Sequence, residues 1–522
     1  MENKGKRIIY PIGVQSFEKL RRTGCVYVDK TDFVWQLVTQ PSPIFLSRPR
    51  RFGKSLMLST IEAYFLGKKE LFQGLAISRY EQDWEVFPVF HFDFNSENYQ
   101  SLSDLKSLMN DYLSVYEDQY GLIPAPEATL PTRFRKLIRE AHDATLKPVV
   151  ILVDEYDKPL LSTINDKHLQ NEISKELKSF YGVVKSLDSY IRFAMFTGVA
   201  RFSKVSIFSD LNNLMDISLS EDYNSICGIT ETELLKYFKD PIDGVAHLYG
   251  VSFNQMLEML KNQYDGYNFS DPSMTECLYN PFSILSCFNE RKIDDYWFDS
   301  GTPSFLIRTL IKDGQDIPSL MDDVTVRADI MRGVNVPEKS PITNLYQSGY
   351  LTVKSYNRPE NKYTLGFPNH EVISGFNRLA FIVYGRRDAS EFDITKFLQD
   401  VNNGNPGGFM RRLKALIASV PHEQALNSEA TYHNVVYLLF KLLKRDVHAE
   451  CHMNNGVTDL TVATDKYVYV FEFKFNKSAG AAICQINDHK YDAPFQTGDR
   501  KVFKIGVNFS DKERNIKDWK IE

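Results

Sequence analysis

The 522-residue chain is poor in cysteine. Its six residues, Cys25, Cys227, Cys277, Cys287, Cys451 and Cys484, form no CxxC pair and show no zinc-like spacing. That argues against a disulfide scaffold and a structural zinc site, and the expectation is reduced thiols in a cytoplasmic protein. Long apolar runs are missing too. None approaches the roughly 18–20 residues that a bilayer-spanning helix needs, so no membrane partner is expected. The basic start Met1–Arg7 is followed by no long apolar core, and no signal peptide is expected. Neither a solenoid-type repeat nor a low-complexity tract is present. A strong net charge is also absent. The 62 Lys/Arg against 67 Asp/Glu leave −5, which neither supports nor excludes a polyanionic partner.

What is present is an ordinary globular composition, 43% hydrophobic and 25% charged, which excludes global disorder. At about 150 residues per domain the length predicts two to four domains. The charge is uneven, with 11 Lys/Arg against 4 Asp/Glu in residues 1–54. Residues 1–235 alternate β-like runs (Pro43–Ser47, Val89–Phe94, Val149–Val153, Ile191–Phe196) with amphipathic stretches. That alternation predicts an α/β domain with a parallel sheet. Residues 236–385 read as a helical connector. Within it a helix ending at Gly349 and a β-like pair, Tyr350–Val353 and Lys362–Leu365, are consistent with a winged helix. The breaker Asn402–Gly408 separates two helical stretches, and strand-like runs follow at Val457–Ala463, Tyr467–Phe475 and Lys501–Val507. Residues 386–522 therefore read as a second, small α/β domain with leading helices.

Two segments carry chemistry. The first, Arg48-Pro49-Arg50-Arg51-Phe52-Gly53-Lys54-Ser55, reads as the turn between a strand and a helix. Gly53 lets backbone N–H groups approach phosphate oxygens, Lys54 reaches the β/γ-phosphates, and Ser55 ligates Mg²⁺. Arg48 stands where the strict P-loop pattern has its first glycine, and with Arg50, Arg51 and Lys54 it belongs to the loop expected to meet phosphate. An apolar strand then ends in Asp154-Glu155, the acid pair that supports Mg²⁺ and polarises the attacking water in P-loop ATPases. Thr197, at the end of another strand, falls where a polar residue senses the γ-phosphate. Arg201 follows as a candidate for the transition state, a surface salt bridge being an equal reading.

The second segment lies near the C-terminus. Asp459 precedes Phe471-Glu472-Phe473-Lys474, with Asp465 and Lys466 in the turn between. Strand alternation puts Glu472 and Lys474 on one face, with Phe471 and Phe473 on the other. Asp459 and Glu472 can share Mg²⁺ or Mn²⁺, and Lys474 can orient or deprotonate a water for attack on a phosphodiester. Glu429, opening a helical segment, is a further acid that serves equally as a helix-start residue. Gln485 lies on the following amphipathic stretch, either toward the same cleft or exposed. Either motif alone has a bland reading, a strand capped by acids or a solvated Glu–Lys pair.

Together the segments resemble bacterial proteins with an AAA-ATPase-like N-terminal domain and a C-terminal PD-(D/E)XK nuclease-superfamily domain. The resemblance is carried by Tyr27-Val28-Asp29-Lys30-Thr31, the arginine-rich loop 48–55, Asp154-Glu155-Tyr156-Asp157-Lys158-Pro159 and Phe196-Thr197-Gly198-Val199. Tyr264-Asp265-Gly266-Tyr267, Tyr279-Asn280-Pro281-Phe282, Gly366-Phe367-Pro368-Asn369, Asp459 and 471–474 complete it. It implies ATP and Mg²⁺ as cofactors, with Arg50, Arg51, Phe52, Gly53, Lys54, Ser55, Asp154 and Thr197 around the nucleotide and Ser55 and Asp154 toward its metal. Glu155 is the implied catalytic acid of that site, and Asp459, Glu472 and Lys474 form the implied nuclease core. The implied activity is an ATP-regulated, metal-dependent nuclease acting on nucleic acid, DNA before RNA, in defence or mobile-element control. A homo-oligomer would let a neighbouring subunit supply an arginine. One departure is Val457, which stands where members carry arginine in Gly-Arg-x-Asp. It leaves a second reading open, a nucleotide-dependent switch whose nuclease-like domain only binds nucleic acid or partners.

Overall fold

The computed structural model describes residues 8–123, 127–164, 166–199, 207–208, 211, 213–297, 323–332, 341–384, 394–418, 429–442, 446–453, 456–496 and 498–522. Two compact units account for the chain: Met1–Ser300 with Val324–Glu371, and Gly301–Asp323 with Val372–Glu522. Most of the stretch expected as a connector thus groups with the N-terminal sheet.

The first unit is built on five parallel strands: β1 (Ile44–Ser47), β2 (Val89–Asp93), β3 (Val149–Asp154), β4 (Ile191–Gly198) and β5 (Met215–Asp216). Their order is β2-β3-β4-β1-β5, so β4 separates the loop-bearing strand β1 from the acid-bearing β3. All six residues of β3 are buried, the continuous apolar run expected of a central parallel strand covered on both faces. Phe90, Phe92, Ile151, Val153 and Phe196 pack against Leu105, Leu113, Phe134, Leu137, Leu177 and Phe180 from the covering helices. Local chemistry starts these helices. Asp166 accepts from the Leu169 N–H at the start of Lys167–Ser186. Thr230 and Glu233 form a capping box on Glu231–Tyr249, which stops at Gly250 with φ +66°.

The motif Asp29-Lys30-Thr31 is architectural. Asp29 accepts from Thr31 and from the Ala76 N–H, while the Lys30 ammonium donates to Glu233 at 2.6 Å and to the Ser225 carbonyl at 2.7 Å. A short pair, β6 (Ile229–Thr230) with β7 (Leu278–Tyr279), precedes helix α1 (Pro281–Glu290), whose first N–H groups are capped by the Asn280 side chain. Further along, β8 (Val324–Arg327), a short helix Ala328–Met331, helix Pro341–Ser348 and the hairpin β9 (Thr352–Asn357)–β10 (Lys362–Gly366) follow in order. β10 pairs antiparallel with both β9 and β8, giving a three-stranded sheet of order β8-β10-β9. The expected hairpin is present, and β8 is the strand that pattern reading missed. Tyr346 and Gln347 of Pro341–Ser348 are buried and border a small cavity beside Arg48 and Pro49.

The second unit carries β11 (Asp446–Met453), β12 (Gly456–Ala463), β13 (Tyr467–Phe475), β14 (Lys501–Ser510) and β15 (Asn515–Ile521) in sequential order. Only β13 and β14 run parallel, joined by helix α2 (Ala479–His489). Val468 and Val470 face Ile483 and Ile486 of α2. Phe471 and Phe473 point the other way, toward Phe409, Phe440 and His433, so the predicted alternation holds.

Candidate functional sites

The loop between β1 and helix Lys54–Phe65 wraps one wall of a cavity of about 430 Å³ in the first unit. Gly53 caps the helix with φ +99°, a left-handed backbone that glycine adopts without strain. Arg51 takes the same region at +67° and lays its guanidinium over the Phe282 ring at 4.9 Å. Lys54 is nearly buried. Its ammonium donates to the carbonyls of Arg48 (3.1 Å) and Pro49 (3.2 Å) and lies 3.2 Å from Glu155 Oε1. Ser55 is half-buried on the same wall. Glu155 is itself left-handed at φ +51°, the kind of local strain that concentrates where a side chain must be aimed.

Behind Glu155, Asp154 is 3% exposed and its Oδ1 accepts from the Thr197 hydroxyl at 2.5 Å and from the Glu155 N–H at 3.1 Å. Thr197, read from the sequence as the polar residue at the γ-phosphate, is fully buried, donates to Asp154 and is not among the residues lining the cavity. Asp93, which pairs with Asp154 across β2 and β3, has its carboxyl pushed up by burial and by the charges of Asp154 and Glu155.

Two loop residues differ from expectation. Arg48 was expected with the phosphate-facing cluster, but it is 1% exposed and turned inward. It donates to the carbonyls of Ser47, Ser218 and Tyr223 at 2.8–2.9 Å, and its guanidinium stacks 4.1 Å above Phe269. Phe52 packs its ring edge-on against Tyr267 and Phe269, which leaves only its backbone to meet a ligand. Arg201 lies outside the described residues. Sequence reading did not find the rest of the cavity: Pro11–Gln15, Asn95, Lys158 and Phe282 also line it. Lys158 and Phe282 sat inside quoted motifs without a role, whereas residues 11–15 carry no local signal.

In the second unit, the antiparallel register of β12 and β13 runs from Ala463↔Val468 to Leu460↔Phe471, and Asp459 and Glu472 are the next residue along each strand. Asp459 Oδ2 accepts the Phe473 N–H at 2.6 Å, and the Lys474 ammonium lies 2.8 Å from Glu472 Oε1. Glu472 is 1% exposed. Burial pushes the Asp459 carboxyl up, opposed by the Phe473 N–H and by the charges of His433 and Lys474. His433 was missed in sequence reading; it is nearly buried, with its ring 5.5 Å from that of Phe473. Gln485 is half-buried on α2, and Asp465 sits in the turn before β13. Glu429 opens helix Glu429–Leu442; its side chain lies outside the described residues.

Both donor sets suit a hard divalent ion. Ser55 with Asp154, and Asp459 with Glu472, offer oxygens only, and Mg²⁺ completes such sets with water and phosphate oxygens. Among the described residues no three His, Cys, Asp or Glu side chains converge as a self-sufficient metal cage. Nor is any described helix long and apolar enough to cross a membrane.

Comparison with known proteins agrees with this division. Residues 11–208 match the family described as predicted AAA-ATPase, and residues 427–519 match the PD-(D/E)XK nuclease superfamily. An uncharacterized protein in the vnfD 5′ region of Azotobacter chroococcum mcd 1 is 35% identical over 524 residues, 98% of each chain. Among solved structures, the ORC2 protein of Aeropyrum pernix overlays 73% of this chain and 96% of its own at 12% identity, with a TM-score of 0.26. Cdc6p of Pyrobaculum aerophilum overlays 72% and 96% at 8% identity, also with a TM-score of 0.26. At those scores the overlays carry no inference. The match along nearly the whole Azotobacter protein, with the two domain assignments, makes this chain a member of the family that joins an AAA-ATPase-like domain to a C-terminal PD-(D/E)XK nuclease-superfamily domain.

Proposed function

We propose that the protein binds and hydrolyses ATP in the 430 Å³ cavity and uses the nucleotide state to govern a metal-dependent phosphodiesterase acting on nucleic acid. The observation that carries this is the pairing of two acid constellations in one chain, Lys54–Glu155 beside the loop and, on the neighbouring strands β12 and β13, Asp459 bonded to the Phe473 N–H with Glu472–Lys474. Phosphate oxygens would take Lys54 from the loop carbonyls and from Glu155, freeing that carboxylate to accept a proton from the attacking water. Ser55 and Asp154 would hold Mg²⁺, with Thr197 fixing Asp154; the ion supplies charge neutralisation at the phosphates. In the second unit Asp459 and Glu472 would hold Mg²⁺ or Mn²⁺, which supplies an acidified water. Lys474 would orient that water toward phosphorus.

The partner is nucleic acid, DNA ahead of RNA, in the cytoplasm, with further copies of the chain as the other candidate partner. We place the activity in defence or mobile-element control. Val457 in place of arginine favours a second reading, a nucleotide switch whose nuclease-like domain binds without cutting. Incubation of the purified chain with DNA and RNA, Mg²⁺ or Mn²⁺, and ATP decides between them. Cleavage that disappears in Glu472→Gln supports the first reading. Equal cleavage by both proteins sinks it, and ATP hydrolysis without metal-dependent cleavage supports the switch.

A further inference from the structure

The strand that ends in Asp154 turns sharply at Glu155, and the chain enters a short helix, Lys158–Ser162. This turn is held from several sides. The Lys158 N–H donates to the Glu155 carbonyl at 2.9 Å, and the Tyr156 N–H to the Thr197 carbonyl at 3.0 Å. Asp157 is fully buried and accepts the Val199 N–H at 3.2 Å. Pro159 locks the next backbone torsion, and it is buried with Leu160. Lys158 and Leu161, three residues apart, present the remaining face of the helix to the cavity. The lysine therefore stands on a firmly held turn and lines the same cavity as Lys54 and Ser55.

Charge makes the position informative. Among the described residues, the charged side chains lining the cavity are Arg50, Arg51, Lys54 and Lys158 against the single acid Glu155. Arg51 is stacked on Phe282, and Lys54 is bonded to loop carbonyls and Glu155. Lys158 is half-buried, and its side chain has neither a hydrogen bond nor an ion pair among the described residues. An anion in a cavity lined by this excess of positive charge would compensate the unpaired ammonium.

Resting on the reading of this cavity as the nucleotide site, we propose that Lys158 is a catalytic cation, donating from the same subunit to the γ-phosphate oxygens. In the reaction, water oxygen forms a bond to Pγ and gives its proton to the Glu155 carboxylate. The bond from Pγ to the β–γ bridging oxygen breaks, and that oxygen leaves with the electron pair on ADP. Glu155 then returns the proton to solvent, and the Lys158 ammonium stays charged throughout. Negative charge grows on the bridging and γ oxygens as the bond breaks, which is where a fixed cation lowers the barrier. A neighbouring subunit need not supply this charge, and an assembly of copies would serve another purpose.

The test uses the full chain and four proteins: wild type, Lys158→Ala, Lys158→Arg and Lys54→Ala. Binding is read with a fluorescent ATP analogue, and turnover by phosphate release over a wide range of protein concentration. Lys158→Ala should bind the analogue within about 5-fold of wild type yet lose about 100-fold in kcat, the scale of one removed transition-state donor. Lys158→Arg should recover part of the loss, and wild-type turnover per protomer should be independent of dilution. A kcat loss under about 10-fold, or a raised KM at unchanged kcat, overturns the catalytic assignment. Turnover per protomer that collapses on dilution overturns the single-subunit claim. The underlying reading fails separately, when the wild type does not bind the analogue or Lys54→Ala binds it equally well.

Discussion

Replacing Arg48 by methionine keeps a long apolar stem and removes a guanidinium with no access to solvent. Three carbonyl oxygens, of Ser47, Ser218 and Tyr223, lose donors at 2.8–2.9 Å, and Phe269 loses its stacked cation. Each orphaned buried carbonyl costs about 1–3 kcal/mol, and the stack adds about 1–2 kcal/mol. Burying the charge already cost energy that the variant recovers, so the net expectation is about 4 kcal/mol of destabilisation. Urea unfolding followed by tryptophan fluorescence reads this, because three of the four tryptophans (Trp35, Trp84, Trp297) lie in the first unit. With a urea slope near 3 kcal/mol/M, the transition should move down by about 1 M at unchanged slope. Nucleotide affinity below the transition should stay within a few-fold of wild type, since the guanidinium faces away from the cavity. An Arg48→Met protein as stable as wild type but about 10-fold weaker for nucleotide would refute this reasoning and return Arg48 to the phosphate-contacting set.

Burial pushes the Glu371 carboxyl up to about 7, against the opposing pull of N–H groups from Trp297 and Tyr296 and the Ser283 hydroxyl. The folded state then keeps a proton that the unfolded chain sheds near pH 4–5. Stability should therefore fall as pH rises from about 4.5 to 7, by up to about 3 kcal/mol. Glu371→Gln should lack that decline, and urea midpoints at pH 5 and pH 8 that shift in parallel for both proteins would contradict it. Gly266 has φ +98°, and an added Cβ would stand 2.2 Å from the Pro368 carbonyl oxygen. Gly266→Ala should cost about 3 kcal/mol or more, and an unchanged urea midpoint would refute the close approach.

Strands β1 to β4 were legible because each is an apolar run bounded by turn signals, and predicted ends lie within two residues of observed ones. β13 was legible by alternation, with Phe471 and Phe473 on one side and Glu472 and Lys474 on the other. β5 was not, because a two-residue strand has no periodicity of its own and exists only by pairing with β1. β8 is similar: Val324–Arg327 gains its identity from β10, more than thirty residues later. At the cavity beside the loop, Gly53, Lys54 and Ser55 could be read from their order alone. Lys158 and the wall formed by Pro11–Gln15 could not, since they meet the loop only in three dimensions.

The sequence by itself determined the local order of the candidate residues: a lysine and serine at a helix start, two acids at a strand end, and Glu472 and Lys474 two residues apart. Those are properties of local order, and strand and helix periodicity translate them into direction without further information. Tertiary structure alone decided where the charges point. Arg48, Arg50 and Arg51 are the same residue type, yet Arg48 is buried among backbone carbonyls while Arg50 and Arg51 line the cavity, Arg51 with its guanidinium on an aromatic ring. The difference comes from Ser218, Tyr223, Phe269 and Phe282, all more than 160 residues away along the chain. Whether a guanidinium braces a fold or meets a ligand depends on which acceptors and rings surround it, and only packing sets that.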